Sequence, residues 1–268
     1  MTMSNDLHNQ VVWITGTSSG LGKALAVECA ARGAHIVLTA RRYDELETVR
    51  LSLPYPERHL SIKLDITDES QVRHAHEQVL VEKGRIDWLI NNAGLSQRAL
   101  ISETTMQTER AIMEVDYFSQ VFLTKTVLPT FLKQKSGRIA YVSSIAGLLG
   151  TQYRATYSAA KAAIHMWANS LRAEVAADGV GVSVIFPGFV KTNVSFNALN
   201  GEGKPQGHQD EAIANGLDPA EFARITVQAL LDGEEYIVVG GAKEKLGVFI
   251  SRLSPKILYR MIRKMKVK

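Results

Sequence analysis

Short apolar runs alternate with longer helical patterns along the whole chain, and this alternation restricts the possible folds most. The runs HIVLT, from residue 35, and VSVIF, from residue 182, carry apolar residues on both faces. That pattern is typical of parallel strands covered by helices on both sides. The sequence therefore predicts an α/β fold with a doubly wound, seven-stranded parallel sheet. The predicted strands are residues 11–15, 35–39, 60–64, 87–90, 138–143, 180–186 and 236–239.

The length and composition favour a single domain. A chain of 268 residues with 46% hydrophobic residues can build one large core. No proline-rich linker or repeat divides it, so we predict one domain over residues 1–246 and a C-terminal extension over 247–268. The polar segment 191–217 follows the sixth predicted strand, at the edge where such sheets bind ligands. A mobile lid and a tolerated surface insertion are both compatible with that segment.

The basic charge of the chain is concentrated at its C-terminus. The formal net charge is +4, and residues 252–268 contain seven Lys or Arg and no Asp or Glu. A charge confined to one segment argues against a nucleic-acid-binding domain. Ser254 and Pro255 are a suitable cap and first residue for an amphipathic helix with a basic face. Such a helix can contact an anionic membrane surface, or pack on the body or on a second subunit.

Other features bear on redox state, metals and location. Cys29 is the only cysteine, which excludes an internal disulfide and is typical of a buried core thiol. The histidines are scattered, so we expect no metal site. The first residues lack the basic and apolar regions of a signal peptide, and no run reaches the roughly 18 apolar residues of a membrane span. We expect a cytoplasmic location, with the C-terminal segment as the region that would contact a membrane surface.

A glycine-rich turn, TGTSSGLG, follows the first predicted strand over residues 15–22. Glycines let the backbone approach a pyrophosphate closely, and the amides at a helix N-terminus attract its charge. Glycine-rich turns also occur as mere tight connections. The position of this one, after the first strand of an α/β pattern, predicts a dinucleotide site.

The end of the second predicted strand bears on cofactor choice. A carboxylate there would bind the ribose 2′-hydroxyl, whereas a basic residue would accommodate a 2′-phosphate. The sequence has no carboxylate at this position and continues with Arg41 and Arg42. The Arg41 guanidinium suits a phosphate and favours NADP(H) over NAD(H). A solvated helix start is the alternative interpretation of these arginines.

A tyrosine and a lysine lie one helical turn apart in the motif YSAAK. Tyr157 and Lys161 share a helix face, where the ammonium would favour tyrosinate and lower the pKa of the phenol from about 10. Such a tyrosine can exchange a proton with a carbonyl or alcohol oxygen. Ser144, at the end of the fifth predicted strand, could donate a hydrogen bond to the same oxygen. A Tyr and a Lys at this spacing are common in helices, so the pair alone indicates little.

Five motifs in order make the combination specific. TGTSSGLG, NNAG, YVSSIAG, YSAAK and PGFVKT together resemble the short-chain dehydrogenase/reductase family over about residues 8 to 240. The resemblance implies a single-domain Rossmann fold and hydride transfer between NAD(P)(H) and a carbonyl or alcohol. It also implies a homodimer or homotetramer, formed through the two long helices that carry Asp116 and Tyr157.

The resemblance assigns roles residue by residue. Tyr157 matches the family's acid/base, Lys161 its ribose-binding and pKa-lowering partner, and Ser144 its substrate-orienting hydroxyl. Two of the cofactor-binding residues that the resemblance implies have an alternative interpretation. Asp65 could serve only to cap the following turn, and Asn92 could serve only to stabilise the end of a strand. The implied cofactor-binding residues are Gly16, Ser18, Ser19, Gly20, Leu21, Gly22, Arg41, Asp65, Asn92, Ala93, Gly94, Tyr157, Lys161, Pro187, Gly188, Val190 and Thr192.

One position departs from the family pattern. Asp116 stands where members of the family usually carry an asparagine that helps to hold a water in a proton relay. An ionised aspartate would attract Lys161 and weaken its effect on the tyrosine proton. We expect activity to survive with a shifted pH optimum.

These observations predict an NADP(H)-dependent oxidoreductase that acts on a carbonyl or secondary alcohol of an apolar small molecule. The apolar residues Leu95, Leu148, Leu149 and Phe189 near the predicted pocket suggest that substrate class. A non-catalytic NADP(H)-binding sensor or scaffold is the alternative, favoured only by Asp116. DNA binding through the basic tail has no recognition motif to support it, so we expect no nucleic-acid partner.

Overall fold

The computed structural model describes residues 6–263, in which seven parallel strands form one sheet with helices on both faces. The strand order is β3-β2-β1-β4-β5-β6-β7. This is the doubly wound, Rossmann-type sheet that the sequence predicts, with boundaries shifted by a residue or so. The strands are β1 (Val11–Thr15), β2 (His35–Ala40), β3 (Leu60–Lys63), β4 (Trp88–Asn91), β5 (Gly137–Val142), β6 (Val180–Pro187) and β7 (Tyr236–Val239).

Helices connect the strands, and their starts and ends follow local signals in the sequence. The Asp68 carboxylate accepts hydrogen bonds from two amides at the start of α3, and Gly84 ends that helix at a φ of 72°. Asp218 caps α8 in the same way, with Pro219 as its first residue. The helices are α1 (Gly20–Ala31), α2 (Tyr43–Ser52), α3 (Glu69–Lys83), α4 (Met106–Met113), α5 (Ser119–Gln134), α6 (Ala155–Glu174), α7 (Glu211–Ala214), α8 (Pro219–Leu231), α9 (Ala242–Leu253) and α10 (Pro255–Ile262).

The core consists of two apolar layers, one on each face of the sheet. Ile14 packs in the layer under α1, α2 and α8, whereas its neighbour Trp13 packs in the layer under α3, α5 and α6. Both side chains are fully buried. Successive residues of a strand point to opposite faces, so a strand covered on both faces must be apolar at every position. This is the physical reason for the apolar runs in the sequence.

The strand order reverses beside β1, which has β2 on one side and β4 on the other. In an open α/β sheet, such a reversal leaves a crevice at the carboxyl ends of the strands. The turns after β1, β4, β5 and β6 all lead into that crevice. The fold therefore brings the motifs at residues 16–22, 92–94, 144 and 187–192 to one edge of the sheet.

The C-terminal segment forms two helices rather than one. Helix α9 runs across the predicted boundary between residues 246 and 247, and α10 follows directly. Ser254 occupies the position before α10, but its side chain makes no capping hydrogen bond to any described residue. Leu258 is buried, whereas Ile257 and Met261 remain exposed. The predicted amphipathic segment continues into residues 264–268, which lie outside the described part of the chain.

No helix among residues 6–263 has both the length and the apolar character needed to span a membrane. In the same part of the chain, no three His, Cys, Asp or Glu side chains come together as ligands of a metal ion would. Cys29 is buried, and burial raises the pKa of its thiol to about 12. It is a core residue, as the sequence indicates.

Candidate active site

The glycine-rich turn after β1 forms a tight cradle at the start of α1. Gly16 and Gly20 adopt φ values of 72° and 58°, which favour glycine. Gly22 packs so closely that a Cβ atom there would lie 2.3 Å from the Gly16 carbonyl oxygen. The Ser19 side chain makes no capping hydrogen bond within the described chain, so the first amides of α1 are open to an anion.

The NNAG turn after β4 is fastened to the end of β1. The Thr15 hydroxyl accepts hydrogen bonds from the amides of Asn92 and Ala93, both at 3.0 Å. The Asn92 side-chain amide donates to the Thr15 carbonyl at 2.8 Å. Asn92 therefore stabilises the strand end, and it also lines the cavity described below. The turn forms one wall between the phosphate cradle and the predicted catalytic residues.

Two arginines follow β2 beside the phosphate cradle. Arg41 lines the cavity, as expected. The Arg42 guanidinium donates hydrogen bonds to the hydroxyls of Ser18 and Ser19 at 3.0 and 3.3 Å. Sequence reasoning singled out Arg41 and missed this contact of Arg42, although the adjacent basic pair was a visible signal. Arg42 Nη1 also forms an ion pair with the Glu45 carboxylate at 2.7 Å.

A cavity of about 1050 Å³ runs from the phosphate cradle to the predicted catalytic residues. Gly22 and Asp116 are the two predicted site residues that do not line it. Asp65 does line it, while its carboxylate accepts hydrogen bonds from the Thr67 amide and hydroxyl and so caps the following turn. The predicted residues that line it are Gly16, Ser18, Ser19, Gly20, Leu21, Arg41, Asp65, Asn92, Ala93, Gly94, Ser144, Tyr157, Lys161, Pro187, Gly188, Val190 and Thr192.

The segment after β6 closes the cavity opposite the cradle. Gly188 continues the sheet, because its amide donates to the Val239 carbonyl at 2.8 Å. Thr192 lies across from the phosphate cradle, 3.6 Å from where a Cβ atom on Gly20 would be. The two turns thus approach each other closely along the edge of the cavity.

Tyr157, Lys161 and Ser144 meet at the other end of the cavity. Helix α6 places Lys161 one turn after Tyr157, with the ammonium nitrogen 5.8 Å from the centre of the tyrosine ring. That ammonium is buried and donates to the Val142 carbonyl at 3.1 Å. The Ser144 oxygen accepts from the Ala146 amide at 3.1 Å, which orients the hydroxyl and leaves its proton to donate.

Asp116 lies behind this group on a π-helical turn, Glu114–Phe118, between α4 and α5. Its Oδ1 accepts a 2.6 Å hydrogen bond from the Leu95 amide, and its Oδ2 is 3.4 Å from the Lys161 ammonium. Burial raises the pKa of the Asp116 carboxyl, against the opposing effects of Lys161 and the Leu95 amide. A carboxylate in direct contact with Lys161 changes the charge that Tyr157 experiences.

Gln97 is a positioning residue that the sequence did not reveal. Its fully buried side-chain oxygen accepts hydrogen bonds from the Thr156 amide at 2.9 Å and the Tyr157 amide at 3.4 Å. It caps α6 from outside the helix, because Arg154 at the N-cap makes no capping bond to a described residue. Nothing in the local sequence of either segment signals this pairing across about 60 positions.

Apolar residues line the substrate end of the cavity. Leu95, Leu149 and Phe189 contribute, as expected, whereas Leu148 packs against the core instead. Helices α9 and α10 form the outer wall, a role that the sequence did not predict. Their lining residues are Lys243, Glu244, Leu246, Gly247, Leu258, Met261 and Ile262.

Comparisons with known proteins agree with this geometry. The family model for short chain dehydrogenases matches residues 10–202. A Drosophila melanogaster protein, "Dehydrogenase/reductase SDR family protein 7-like", is 38% identical over 98% of this chain and 82% of its own length. "Dehydrogenase/reductase SDR family member 7B" of Xenopus laevis is 35% identical over 96% of this chain and 81% of its own length.

Solved structures share the fold over nearly the whole chain. A short-chain dehydrogenase from Streptomyces avermitilis superposes with a TM-score of 0.80 at 29% identity, covering 95% of this chain and 97% of its own. A short-chain dehydrogenase/reductase from Burkholderia phymatum, solved in complex with NAD, gives a TM-score of 0.82 at 22% identity, covering 98% and 99%. With the family model matching more than half of its length, the chain belongs to the short-chain dehydrogenase/reductase family of oxidoreductases.

Proposed function

We propose that this protein is an NADP(H)-dependent oxidoreductase acting on a carbonyl or secondary alcohol of an apolar small molecule, with Tyr157 as acid/base. The observation that carries the proposal is one continuous cavity, which joins the phosphate cradle to Tyr157, Lys161 and Ser144. A cavity with a phosphate site at one end and a tunable phenol at the other suits hydride transfer coupled to proton transfer.

The cradle fits a dinucleotide on structural grounds. Gly16, Gly20 and Gly22 keep the turn free of side chains that would occupy the space beside the α1 amides. Asn92, Gly94 and the segment after β6 continue the site towards Tyr157. A bound nicotinamide cofactor would supply the hydride.

The roles of the protein groups follow from their contacts. Tyr157 gives a proton to the carbonyl oxygen in reduction, or takes one from the alcohol in oxidation. The Lys161 ammonium, one turn away, favours the tyrosinate form. Ser144 donates a hydrogen bond to the reacting oxygen and fixes the substrate against the cofactor site.

The charge beside the phosphate cradle supports NADP(H) over NAD(H). Arg41 and Arg42 present two guanidinium groups, and Ser18 adds a hydroxyl in contact with Arg42. Arginine binds phosphate oxygens with paired, charge-assisted hydrogen bonds. The Burkholderia neighbour was solved with NAD, and at 22% identity it informs the fold rather than the cofactor choice.

The exposed face of the C-terminal helices supports contact with an anionic membrane surface. Ile257, Tyr259 and Met261 on α10 are exposed, and Lys256 and Arg260 lie on the same short helix. Apolar groups would enter the interface while the cations meet lipid phosphates. Vesicles containing phosphatidylserine should pellet the full chain but not a chain ending at residue 246. Equal pelleting of both forms would leave α10 as a packing helix.

A homo-oligomer through the α4–α6 region is also part of this proposal. Met106, Phe118 and Met166 are large apolar residues exposed on this side of the molecule. Burying them between two copies would remove apolar surface from water. Light scattering after size-exclusion chromatography should give a multiple of 29.5 kDa. A mass of one chain would refute this part of the proposal.

The deciding experiment combines cofactor binding with turnover. NADPH and NADH are titrated by fluorescence, and a panel of apolar ketones is then assayed with wild type and Tyr157→Phe. We expect tighter binding of NADPH, and turnover reduced about 10²–10⁴-fold in the variant because proton transfer is lost. Tight binding with no turnover on any ketone would favour a sensor or scaffold, for which the Asp116 position is the supporting feature.

A further inference from the structure

Two arginines and one aspartate are buried together at the substrate end of the cavity. The side chains of Arg98 and Asp210 are 2% and 3% exposed, and that of Arg154 is 9% exposed. Arg98 Nε and Nη2 both lie 2.7 Å from Asp210 Oδ2. This close pair neutralises the only carboxylate that forms an ion pair with either arginine in the described chain.

Arg154 has only a longer, weaker contact with that carboxylate. Its Nη2 lies 3.5 Å from the same Asp210 oxygen, well beyond the distance of the Arg98 contact. Its Nε and Nη2 are buried and have no hydrogen-bond partner among the described residues. These two nitrogens form an edge of the guanidinium that Asp210 approaches without completing a hydrogen bond, so the group keeps donor capacity for a carboxylate or phosphate oxygen.

The surrounding charges leave Arg154 positive at neutral pH. Burial and then the neighbouring Arg98 lower the pKa of Arg154 to about 10, whereas Tyr157 and Asp210 act in the opposite direction. Glu109, on the packed helix α4, is bound by the Thr156 hydroxyl. The cluster therefore carries a net positive charge in a region where an unpaired charge is costly to bury.

The position of Arg154 relates it to the reaction. It is the N-cap residue of α6, three residues before Tyr157. Arg154, Arg98 and Tyr157 all line the cavity. The Phe189 ring covers the Arg154 guanidinium, with 5.7 Å from its Cζ atom to the ring centre. A ligand bound along the apolar wall would meet this charge close to the reacting oxygen.

We propose that Arg154 is a specificity-determining residue, which binds an oxyanion of the substrate, a carboxylate or phosphate ester, near the reacting carbonyl. The proposal rests on the oxidoreductase function proposed above and narrows its substrate class to apolar molecules with one anionic group. Arg98 has a different role, since it holds Asp210 and so keeps that carboxylate from pairing fully with Arg154. The rest of the substrate lies along Leu95, Leu149 and Phe189.

The activity test compares charged and neutral forms of one substrate. A series of oxododecanoates, with the keto group at successive positions, is assayed beside the corresponding methyl esters. We expect wild type to prefer at least one acid over its ester by tenfold or more in kcat/KM, mainly through KM. Arg154→Leu should lose that preference, and Arg154→Lys should be intermediate.

The controls separate recognition from folding. Arg110→Leu removes the same charge from an exposed site on α4, and it should leave the preference unchanged. Thermal unfolding of each variant identifies any loss of structure. If Arg154→Leu lowers activity on acid and ester equally, or if wild type prefers the ester, Arg154 is not a substrate-binding residue and the proposal is wrong.

A binding test does not depend on turnover. Calorimetry with octanoate, octyl phosphate and octanamide should show tenfold or tighter binding of one or both anions relative to the amide. That advantage should vanish in Arg154→Leu, and the better anion identifies carboxylate or phosphate. Anion binding without turnover on any ketone would retain the anion site and refute the oxidoreductase function. Turnover of ketones without any preference for anions would retain the oxidoreductase function and refute the anion site.

Discussion

The two ends of the cavity are built in different ways. At the cofactor end, residues 15–22 form the cradle as one continuous segment, with open backbone amides at the start of α1. At the substrate end, side chains come from the loop after β4, from the start of α6, and from α9 and α10. A continuous backbone site leaves a readable motif in the sequence, whereas a site assembled from distant side chains does not.

The two ends of the cavity also differ in how exposed their charged side chains are. The arginines beside the cradle are exposed, and Arg42 contacts the Ser18 hydroxyl and the Glu45 carboxylate. Those at the substrate end are buried with Asp210. Exposed charges are screened by water and salt, whereas buried ones act strongly over short distances. We therefore expect substitutions at the cofactor end to change cofactor choice, and those at the substrate end to change stability and catalysis together.

The largest effect is expected from removing the basic pair at the cofactor end. Arg41→Ala combined with Arg42→Ala should weaken NADPH binding by about 100-fold, since each charge-assisted contact contributes roughly 1.5–3 kcal/mol. NADH binding should change little. Fluorescence titration measures the ratio of the NADPH and NADH dissociation constants. The exposed Arg224→Ala on α8 is the control. An unchanged ratio would mean that these arginines do not select the cofactor.

An intermediate effect is expected at Gln97, which belongs to the substrate end. Gln97→Ala leaves the buried Thr156 amide without its acceptor, so the free energy of unfolding should fall by about 2 kcal/mol. The start of α6 should loosen, and kcat should fall along with stability. Chemical denaturation and steady-state kinetics measure the two effects. Gln107→Ala, at an exposed position of α4, should change neither quantity, and a Gln97 variant as stable as wild type would contradict this role.

The smallest effect is expected at Asp116. Once ionised, its carboxylate offsets the positive charge of Lys161, so Asp116→Asn should leave that charge fully available to stabilise a developing tyrosinate. The alkaline limb of the pH–rate profile for reduction should then move to lower pH by about one unit. Identical profiles for the two proteins would show that the carboxylate has no electrostatic role.

Asp116→Asn should also change how stability depends on pH. Burial raises the pKa of Asp116 in the folded chain, so the folded state binds more protons than the unfolded one above the usual aspartate pKa of about 4. Its contribution to stability is present at low pH and is lost as the pH rises through the raised value. Asp116→Asn should therefore remove part of the fall in unfolding free energy above about pH 4. Denaturation midpoints of both proteins, measured at several pH values above about 4, give this difference in unfolding free energy.

Much of the fold could be predicted because each element has a local signal. Asp68, Gly84 and Asp218 are residue types that favour helix ends and occupy such positions, and all seven strands lie within about a residue of their predicted positions. The C-terminal segment was less predictable. Whether an apolar helix face such as that of Leu258 packs on the body or faces solvent depends on surfaces far away in the sequence.

The residues of the site also differ in whether local sequence or long-range packing positions them. The sequence by itself determined the sheet, the phosphate cradle and the pairing of Tyr157 with Lys161, because these depend on neighbours within one strand, turn or helix. Only the tertiary structure decided that Asp116 contacts Lys161, that Gln97 caps α6, and that Arg98 engages Asp210. Those contacts join residues brought together by packing, and packing is a property of the whole chain.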